Sequence, residues 1–239
     1  MIQNFVQKLI RKSEFFFTRA ELLGDKQTVR HISKLNRNFG FDMVFDVGGN
    51  VGQYGRLLRK AGYQRDIMSF EPVPELASKI RAGADRRWEV IESGLGDIEC
   101  QTKFNVMKSS PLSSLLEPIT QEGDKLADLN IIQKKIDVHI NTLDNFLRAR
   151  QDLTFSKGLL KLDVQGFEKK CLLGGTEFID RFLALQVELS VTPLYAGMDS
   201  YVKMIEYIDE IGFAPSIILS QSPYQFPKLI DFDVIFIRK

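Results

Sequence analysis

One stretch near residue 45 limits what this chain of 239 residues can fold into. Residues 44–52 read VFDVGGNVG, an apolar run that contains one acid, Asp46, and ends in glycines. A second apolar run, residues 67–70, ends directly before Glu71. A buried strand that turns through glycines into a helix, with an acid after the next strand, is the layout of a nucleotide-binding βαβ unit. In such a unit the second acid can accept hydrogen bonds from both ribose hydroxyls.

The spacing of these glycines indicates which nucleotide binds. A dinucleotide fingerprint needs G-x-G-x-x-G, and a phosphate loop ends in Gly-Lys-Ser or Gly-Lys-Thr; neither occurs in this stretch. Asp46 precedes the glycines, and a carboxylate there would repel a phosphate group. It would attract a positive group, such as the amino group in the methionine part of S-adenosylmethionine (SAM). The charge pattern therefore favours SAM over NAD, with a glycine-rich turn that binds no ligand as the alternative.

The composition predicts a single α/β domain. The chain is 44% hydrophobic and 26% charged, and its net charge of +1 gives no electrostatic reason to expect nucleic-acid or membrane binding. No apolar run reaches the roughly 20 residues of a membrane helix, and the N-terminus lacks a signal-peptide pattern. Cys100 and Cys171 lack metal-ligand spacing, so we expect two buried thiols in a reducing compartment. These features favour a soluble, cytoplasmic protein.

Alternating strand and helix patterns predict a doubly wound, mostly parallel sheet from residue 41 onward. Core strands are predicted at residues 41–47, 67–70, 88–91, 158–163 and 183–189, weaker strands at 100–107 and 136–140, and helices at 53–62, from the Pro72–Pro74 turn to 81, at 142–150 and at 200–211. The last two strands, residues 213–219 and 231–238, have a short connection and are most easily antiparallel. An open sheet that ends in such a pair is typical of the methyltransferase variant of the Rossmann fold.

Two regions lie outside this alternation. Residues 1–38 show helical spacing and are interpreted as an N-terminal helical extension of a domain at residues 39–239. The apolar residues 15–17 in it would suit a membrane anchor, but packing on the domain or a dimer contact is the favoured interpretation. Residues 98–157 are interpreted as an inserted substrate region, in which residues 124–135 are a loop or short helix. Ligands bind where loops gather at the carboxyl ends of strands, so we expect substrate contacts there.

Charged residues accumulate at the end of the fourth core strand. The sequence GLLKLDVQGFE, residues 158–168, places Lys161, Asp163 and Glu168 where this strand opens on the ligand crevice. A buried apolar strand has no structural need for charge, because burying an unpaired charge is costly. These side chains therefore either pair with one another or take part in chemistry.

Four motifs occur in the order typical of a known family: FDVGGNVGQY at residues 45–54, FEP at 70–72, LKLDVQGFE at 160–168 and LGG at 173–175. Over about residues 41–237 the chain resembles the FkbM-type SAM-dependent methyltransferases. The resemblance implies a class I methyltransferase fold, with a seven-stranded sheet, and methyl transfer from SAM to a hydroxyl oxygen. The family's acceptors include macrolide natural products and sugars of surface polysaccharides. Gln165 stands where the family usually has Glu, so one carboxylate is missing here.

The candidate cofactor-binding residues follow the first three strands. We expect Glu71 to hold the ribose hydroxyls and Asp46 to lie near the amino group of the methionine part. Asp97 would contact the adenine amine, with a simple turn residue as the equal alternative. The residues expected to shape the methionine and ribose pocket are Gly48, Asn50 and Gly52.

The candidate catalytic residues follow from the chemistry of methyl transfer. The protein must align the acceptor oxygen with the methyl group and remove a proton from the hydroxyl. We expect Asp163 to be the general base or the anchor of the acceptor hydroxyl, with Lys161 tuning its charge and His139 as a second candidate base or a structural residue. Asp163, Glu168 and Glu188 are candidate ligands of Mg²⁺, but their spacing does not define a full ligand set, so no metal is expected.

The acceptor and other partners are only broadly indicated. A serine-rich loop at residues 109–114, together with Tyr195, fits a sugar or polyol as well as a polyketide hydroxyl. We therefore expect a small-molecule or saccharide acceptor, no nucleic acid, no stable membrane insertion, and a homodimer as one option. A non-catalytic SAM-binding or scaffold protein is an alternative of a different class. An NAD-dependent oxidoreductase is another, which the glycine spacing disfavours.

Overall fold

A mostly parallel sheet lies at the centre of the computed structural model, which describes residues 27–119, 130–219 and 229–239. The strands are β1 (Met43–Val47), β2 (Asp66–Phe70), β3 (Trp88–Ile91), β4 (Gly94–Leu95), β5 (Cys100–Met107), β6 (Ile132–Asn141), β7 (Gly158–Leu162), β8 (Phe182–Ser190), β9 (Phe213–Leu219) and β10 (Asp231–Arg238). The helices are α1, described over 27–39, α2 (Gln53–Lys60), α3 (Pro74–Gly83), α4 (Leu143–Ala149), α5 (Glu168–Leu173) and α6 (Tyr201–Glu210). Two short 3-10 helices occupy Ser110–Leu112 and Ile179–Arg181.

The order of the strands gives the fold class. Seven strands form one sheet in the order β3-β2-β1-β7-β8-β10-β9, and β10 runs antiparallel to both of its neighbours. The other neighbouring pairs in this sheet are parallel. The strand order reverses between β1 and β7, so a crevice opens there at the carboxyl ends of the strands. The predicted class I methyltransferase fold, with its antiparallel C-terminal strand, is confirmed.

The two central strands explain why this sheet forms. All five residues of β1 and all five of β7 are buried, as their near-continuous apolar sequences require of parallel strands covered on both faces. On one face Phe45 packs against Phe155 and Phe182, with ring centroids 5.1 and 5.2 Å apart. On the other face Val44 and Leu159 join a second apolar cluster. Helices therefore cover both faces, and the polar residues of β1 and β7 are confined to the crevice end.

A second, small sheet occupies the predicted insertion. Its order is β4-β6-β5, with β5 and β6 antiparallel. β6 starts at Ile132, four residues before the prediction, so residues 132–135 are strand and the predicted loop or short helix there is wrong. The sequence did not predict the start of this strand because Lys134 and Lys135 interrupt the alternation of apolar and polar residues. Both side chains form ion pairs at the surface. Residues 124–129 lie outside the described residues.

The two cysteines and the N-terminal helix were also predicted from the sequence. Cys171 is buried as predicted, but Cys100 is exposed, because it lies at the start of the edge strand β5. Residues 1–26, including the apolar residues 15–17, lie outside the described residues. In α1, Ile32 and Leu35 pack into the core, and the boundary at residue 38 stays a prediction. Within the described ranges, no helix combines the length and apolarity needed to span a bilayer.

The packing of α2 on β3 gives a testable prediction. A Cβ added at Gly55 would overlap the ring of Trp88, whose Nε1 donates a 2.9 Å hydrogen bond to Ser69 Oγ and so holds the ring in place. We expect Gly55→Ala to lower the free energy of unfolding by about 1–3 kcal/mol despite the better helix propensity of alanine. Gly83→Ala is the control, since its Cβ would only touch Arg56 at 3.7 Å. Equal stability of the two variants in guanidinium unfolding would contradict this packing.

Candidate active site

A cavity of about 440 Å³ opens at the crevice between β1 and β7. One set of lining residues is apolar and comes from the turn after β2, from α3 and from the small sheet: Val73, Leu76, Leu95, Phe104 and Ile140. Another set is polar and comes from α2 and the ends of β7, β8 and β10: Tyr54, Asp163, Gln165, Gln186, Glu188 and Asp233. The cavity therefore has an apolar part suited to a flat ring and a polar part suited to hydrogen-bonding groups.

Glu71 is fixed at the boundary between these parts. It follows β2, is only 3% exposed, and lines the cavity. The Asn50 N–H donates to its Oε2 at 2.8 Å and the Val73 N–H to its Oε1 at 2.9 Å. Burial raises the pKa of Glu71 to about 7, and these two backbone hydrogen bonds oppose the rise. Each oxygen keeps a lone pair, so the carboxylate can still accept from two hydroxyls.

The glycine turn brings bare backbone to the cavity. Gly48 has φ 79°, and a Cβ there would overlap the carbonyl oxygen of Asp163. Asn50 also has a left-handed backbone, with φ 48°, and both residues line the cavity. Gly52 has φ 82° and caps α2, but the structure does not bring it to the cavity wall, since its neighbours are Ile80, Arg56 and Trp88.

Lys161 lies between two carboxylates at the base of the crevice. Its Nζ is 3.1 Å from Asp46 Oδ1 and 3.3 Å from Asp163 Oδ2, and it donates to the Gly48 carbonyl oxygen at 3.4 Å. Burial lowers the pKa of Lys161, but Asp163 and Asp46 more than offset this, so the pKa lies above its ordinary value. The ammonium therefore stays protonated. Charges meet here because Asp46 and Lys161 are register partners on the adjacent strands β1 and β7.

Asp46 faces protein groups. Its side chain is fully buried, its Oδ2 accepts from Ser69 Oγ at 3.1 Å, and it is not among the residues that line the cavity. The sequence places this acid next to the glycines but does not reveal that Lys161 lies across the strand pair. Asp46 is a counter-ion of Lys161 in this arrangement, and a direct contact with a ligand's amino group stays a prediction.

Gln165 connects the carboxylates at the ends of β7 and β8. Its Nε2 donates to Asp163 Oδ1 at 3.1 Å and to Glu188 Oε2 at 2.7 Å, and its Oε1 accepts from the Tyr195 hydroxyl at 3.1 Å. The Ser114 hydroxyl donates to its backbone oxygen at 2.8 Å. The backbone of Gln165 has φ 55°, which costs about 1–3 kcal/mol in a non-glycine residue and concentrates at functional sites. Gln165 was missing from the predicted site, where it was noted only as a Gln at the family's Glu position. Glu188 was considered only as a ligand of Mg²⁺.

Two predicted site residues lie away from the cavity wall. Asp97 forms a 2.6 Å ion pair with Lys170. His139 Nε2 lies 3.4 Å from Glu99 Oε1, and its Nδ1 lies 3.3 Å from Ser93 Oγ. On β6 the neighbouring Ile140 lines the cavity, and side chains alternate along a strand, so the ring of His139 points to the opposite face.

Glu168, considered above as a metal ligand, is buried and is not among the residues that line the cavity. Glu168 accepts from the N–H groups of Val164 and Gly166, at 3.1 and 3.2 Å, and so fixes the turn into α5. Burial raises its pKa to about 7. In the part of the chain that the structure describes, no group of three or more His, Cys, Asp or Glu side chains is arranged to hold a metal ion.

The ion pairs of Lys161 give a second prediction. Lys161→Met removes the cation beside the fully buried Asp46, and breaking a buried pair in this way costs about 3–5 kcal/mol. Lys170→Met is the matched control, because its pair with Asp97 is half exposed and contributes less than about 1 kcal/mol. The measurement is guanidinium unfolding of both variants. A loss for Lys161→Met as small as that of the control would contradict the buried pair.

Comparisons with known proteins assign the family. The family model described as Methyltransferase FkbM domain matches residues 46–215. A curated relative from Pelagibacter ubique (strain HTCC1062), named 3-isopropylmalate dehydratase small subunit, is 24% identical over 173 residues, 69% of this chain and 78% of its own. That identity is too low to show a shared family, whereas the family match spans most of the chain and includes the glycine turn, Glu71, Lys161 and Asp163.

Solved structures of other methyltransferases align over most of the chain at low identity. Precorrin-6y C5,15-methyltransferase from Geobacter metallireducens GS-15 is 11% identical, with a TM-score of 0.42 and 89% of this chain and 88% of that chain covered. Fibrillarin from Aeropyrum pernix, solved with natively bound S-adenosyl-L-methionine, is 10% identical, with a TM-score of 0.47 and 82% and 66% covered. The family therefore rests on the sequence match and the fold on the strand order. The chain belongs to the FkbM methyltransferase family and is a SAM-dependent methyltransferase.

Proposed function

We propose that this enzyme transfers the methyl group of SAM to a hydroxyl oxygen of a small molecule, either a saccharide or a polyketide-like compound. The observation that carries the proposal is the pair of carboxylates, Asp163 and Glu188, on the cavity wall beside the glycine turn. A neutral hydroxyl needs a proton acceptor when it attacks a methyl group, and carboxylates placed within reach of it supply one.

The residues at the glycine turn fit the cofactor. Glu71 offers one free lone pair on each oxygen to the ribose hydroxyls. The backbone of Gly48 and Asn50 lines the cavity and can contact the methionine part. Gly48 is required there because a Cβ would overlap the Asp163 carbonyl oxygen. The apolar lining residues from the small sheet suit the adenine ring. SAM itself supplies the electrophilic methyl group, while these residues orient it toward the polar part of the cavity.

The polar part of the cavity favours an acceptor that carries hydroxyl groups. Tyr54 donates a 2.8 Å hydrogen bond to Gln186, which in turn donates to Asp233 at 3.3 Å, and all three side chains line the cavity. Such side chains can accept from or donate to several hydroxyls of one molecule. The acidic lining and a net charge of +1 also argue against a nucleic-acid acceptor. Asp163 either holds the reacting hydroxyl or takes its proton.

Cofactor binding can be measured first, by calorimetric titration with SAM, with its demethylated product and with NAD. We expect the first two to bind and NAD not to bind. Glu71→Ala should weaken SAM binding at least 100-fold, because two charge-assisted hydrogen bonds to the ribose are lost. Glu75→Ala is the control, since Glu75 lies at the surface and pairs with Lys134. SAM binding that survives the loss of Glu71 while the variant remains folded would refute this site.

Acceptor class can be measured with methyl-labelled SAM and a panel of saccharides, polyols, macrolides and amines. We expect label in methyl ethers and none in methylamines. Asp163→Asn should bind SAM normally and lose about 100-fold in turnover, because a group that positions or deprotonates the hydroxyl is removed. Asp137→Asn is the control, as Asp137 forms only an exposed pair with Lys103. Label confined to amines, or full turnover of Asp163→Asn, would contradict the proposal.

A further inference from the structure

Glu188 lies beside Asp163 at the crevice end of the sheet. β7 and β8 are parallel, with Leu162 and Val187 as register partners, so the next residue of each chain segment meets at the same edge. Glu188 is half-buried and lines the cavity. Gln165 Nε2 donates to its Oε2 at 2.7 Å. Nothing within the described residues donates a hydrogen bond to Glu188 Oε1, which leaves that oxygen open to a ligand.

The two carboxylates differ in what already binds them. Asp163 has Gln165 Nε2 on Oδ1 at 3.1 Å and the Lys161 ammonium 3.3 Å from Oδ2. Both oxygens of Asp163 are therefore already engaged, one by an amide and one by a cation. Among the residues that the structure describes, Glu188 has only the Gln165 amide as a hydrogen-bond donor. Of the two cavity-lining carboxylates, Glu188 is the one with no ion-pair partner among the described residues.

The electrostatic surroundings of Glu188 point in the same direction. Burial raises its pKa well above the ordinary value, and the negative charges of Asp163, Asp231, Asp233 and Glu168 raise it further. These charged groups belong to the end of β7, to β10 and to α5. The Tyr195 hydroxyl is also nearby and donates a hydrogen bond to Gln165. A general base works best when its pKa is close to the operating pH. The surroundings of Glu188 raise its pKa toward the pH at which the enzyme would work.

We propose that Glu188 is the general base of the reaction, with Asp163 and Gln165 as positioning residues. The acceptor oxygen attacks the methyl carbon of SAM as Glu188 Oε1 takes the hydroxyl proton. The carbon–sulfur bond breaks, its electron pair stays on sulfur, and the products are the methyl ether and the demethylated cofactor. Glu188 then releases the proton to water through the cavity mouth. This assignment rests on the proposed methyl transfer to oxygen.

The test uses Glu188→Gln, which keeps a carbonyl oxygen for the Gln165 amide. We expect SAM affinity within about threefold of wild type by calorimetry and a turnover at least 100-fold lower, with the hydroxyl acceptor that the panel identifies. In the wild type, turnover should rise with pH until Glu188 is ionised, and Glu188→Gln should lose this acid limb. Asp163→Asn removes a like charge, lowers the pKa of Glu188, and should shift the limb to lower pH. Glu92→Gln, at an exposed ion pair, is the control.

A second measurement needs no acceptor. The carboxyl carbons of glutamate are titrated by ¹³C NMR, and the resonance missing in Glu188→Gln identifies Glu188. We expect its midpoint well above the ordinary glutamate value of about 4.3. An ordinary midpoint, or full turnover of Glu188→Gln, overturns the assignment. Wild-type protein that binds SAM but methylates no hydroxyl overturns the proposed function instead, and the NMR midpoint then still reports whether Glu188 has the unusual basicity.

Discussion

The ammonium of Lys161 is the interaction on which both the fold and the site depend. It joins Asp46 on β1 to Asp163 after β7, across the point between β1 and β7 where the strand order reverses. A buried charge of this kind is tolerated only when its partners are complete, since removing one leaves the other uncompensated. The cost of burying Lys161 and Asp46 is therefore offset only while β1 and β7 keep this register. The same register fixes the glycine turn and the Asp163 carboxylate beside the cavity.

A chain of direct contacts runs from Lys161 along the polar side of the cavity. Asp163 is held by Lys161, Gln165 is held by Asp163 and Glu188, and the strained backbone of Gln165 is supported by hydrogen bonds to its side chain and carbonyl oxygen. Such a network orients two carboxylates without requiring either to move during the reaction. Preorganised groups of this kind lower the barrier because no reorganisation is needed when charge shifts in the transition state.

The sequence was sufficient for the elements that local pattern determines. β1 and β7 were predictable because buried parallel strands are continuous apolar runs, and Glu71 because it follows such a run. The C-terminal pair was predictable because its short connection favours antiparallel strands. The start of β6 was not, since Lys134 and Lys135 are both exposed charged residues and remove the apolar alternation. Contacts between distant segments were equally hidden: Asp97 meets Lys170, and Gln165 meets Glu188 on the neighbouring strand. Pairing of this type depends on strand order and register, which no local window contains.

The most direct test of the account is whether SAM binds at the carboxyl end of this sheet. A second cavity lies near the opposite end, lined by residues 85–89 and 152–154, and serves as an internal control. Amide hydrogen exchange of the wild type, with and without SAM, distinguishes the two. We expect SAM to slow exchange in residues 48–53 and 71–73, where the backbone and Glu71 are proposed to hold the cofactor, and to cause no change at the control cavity. Slower exchange at residues 85–89 and 152–154, with none at the glycine turn, would contradict it.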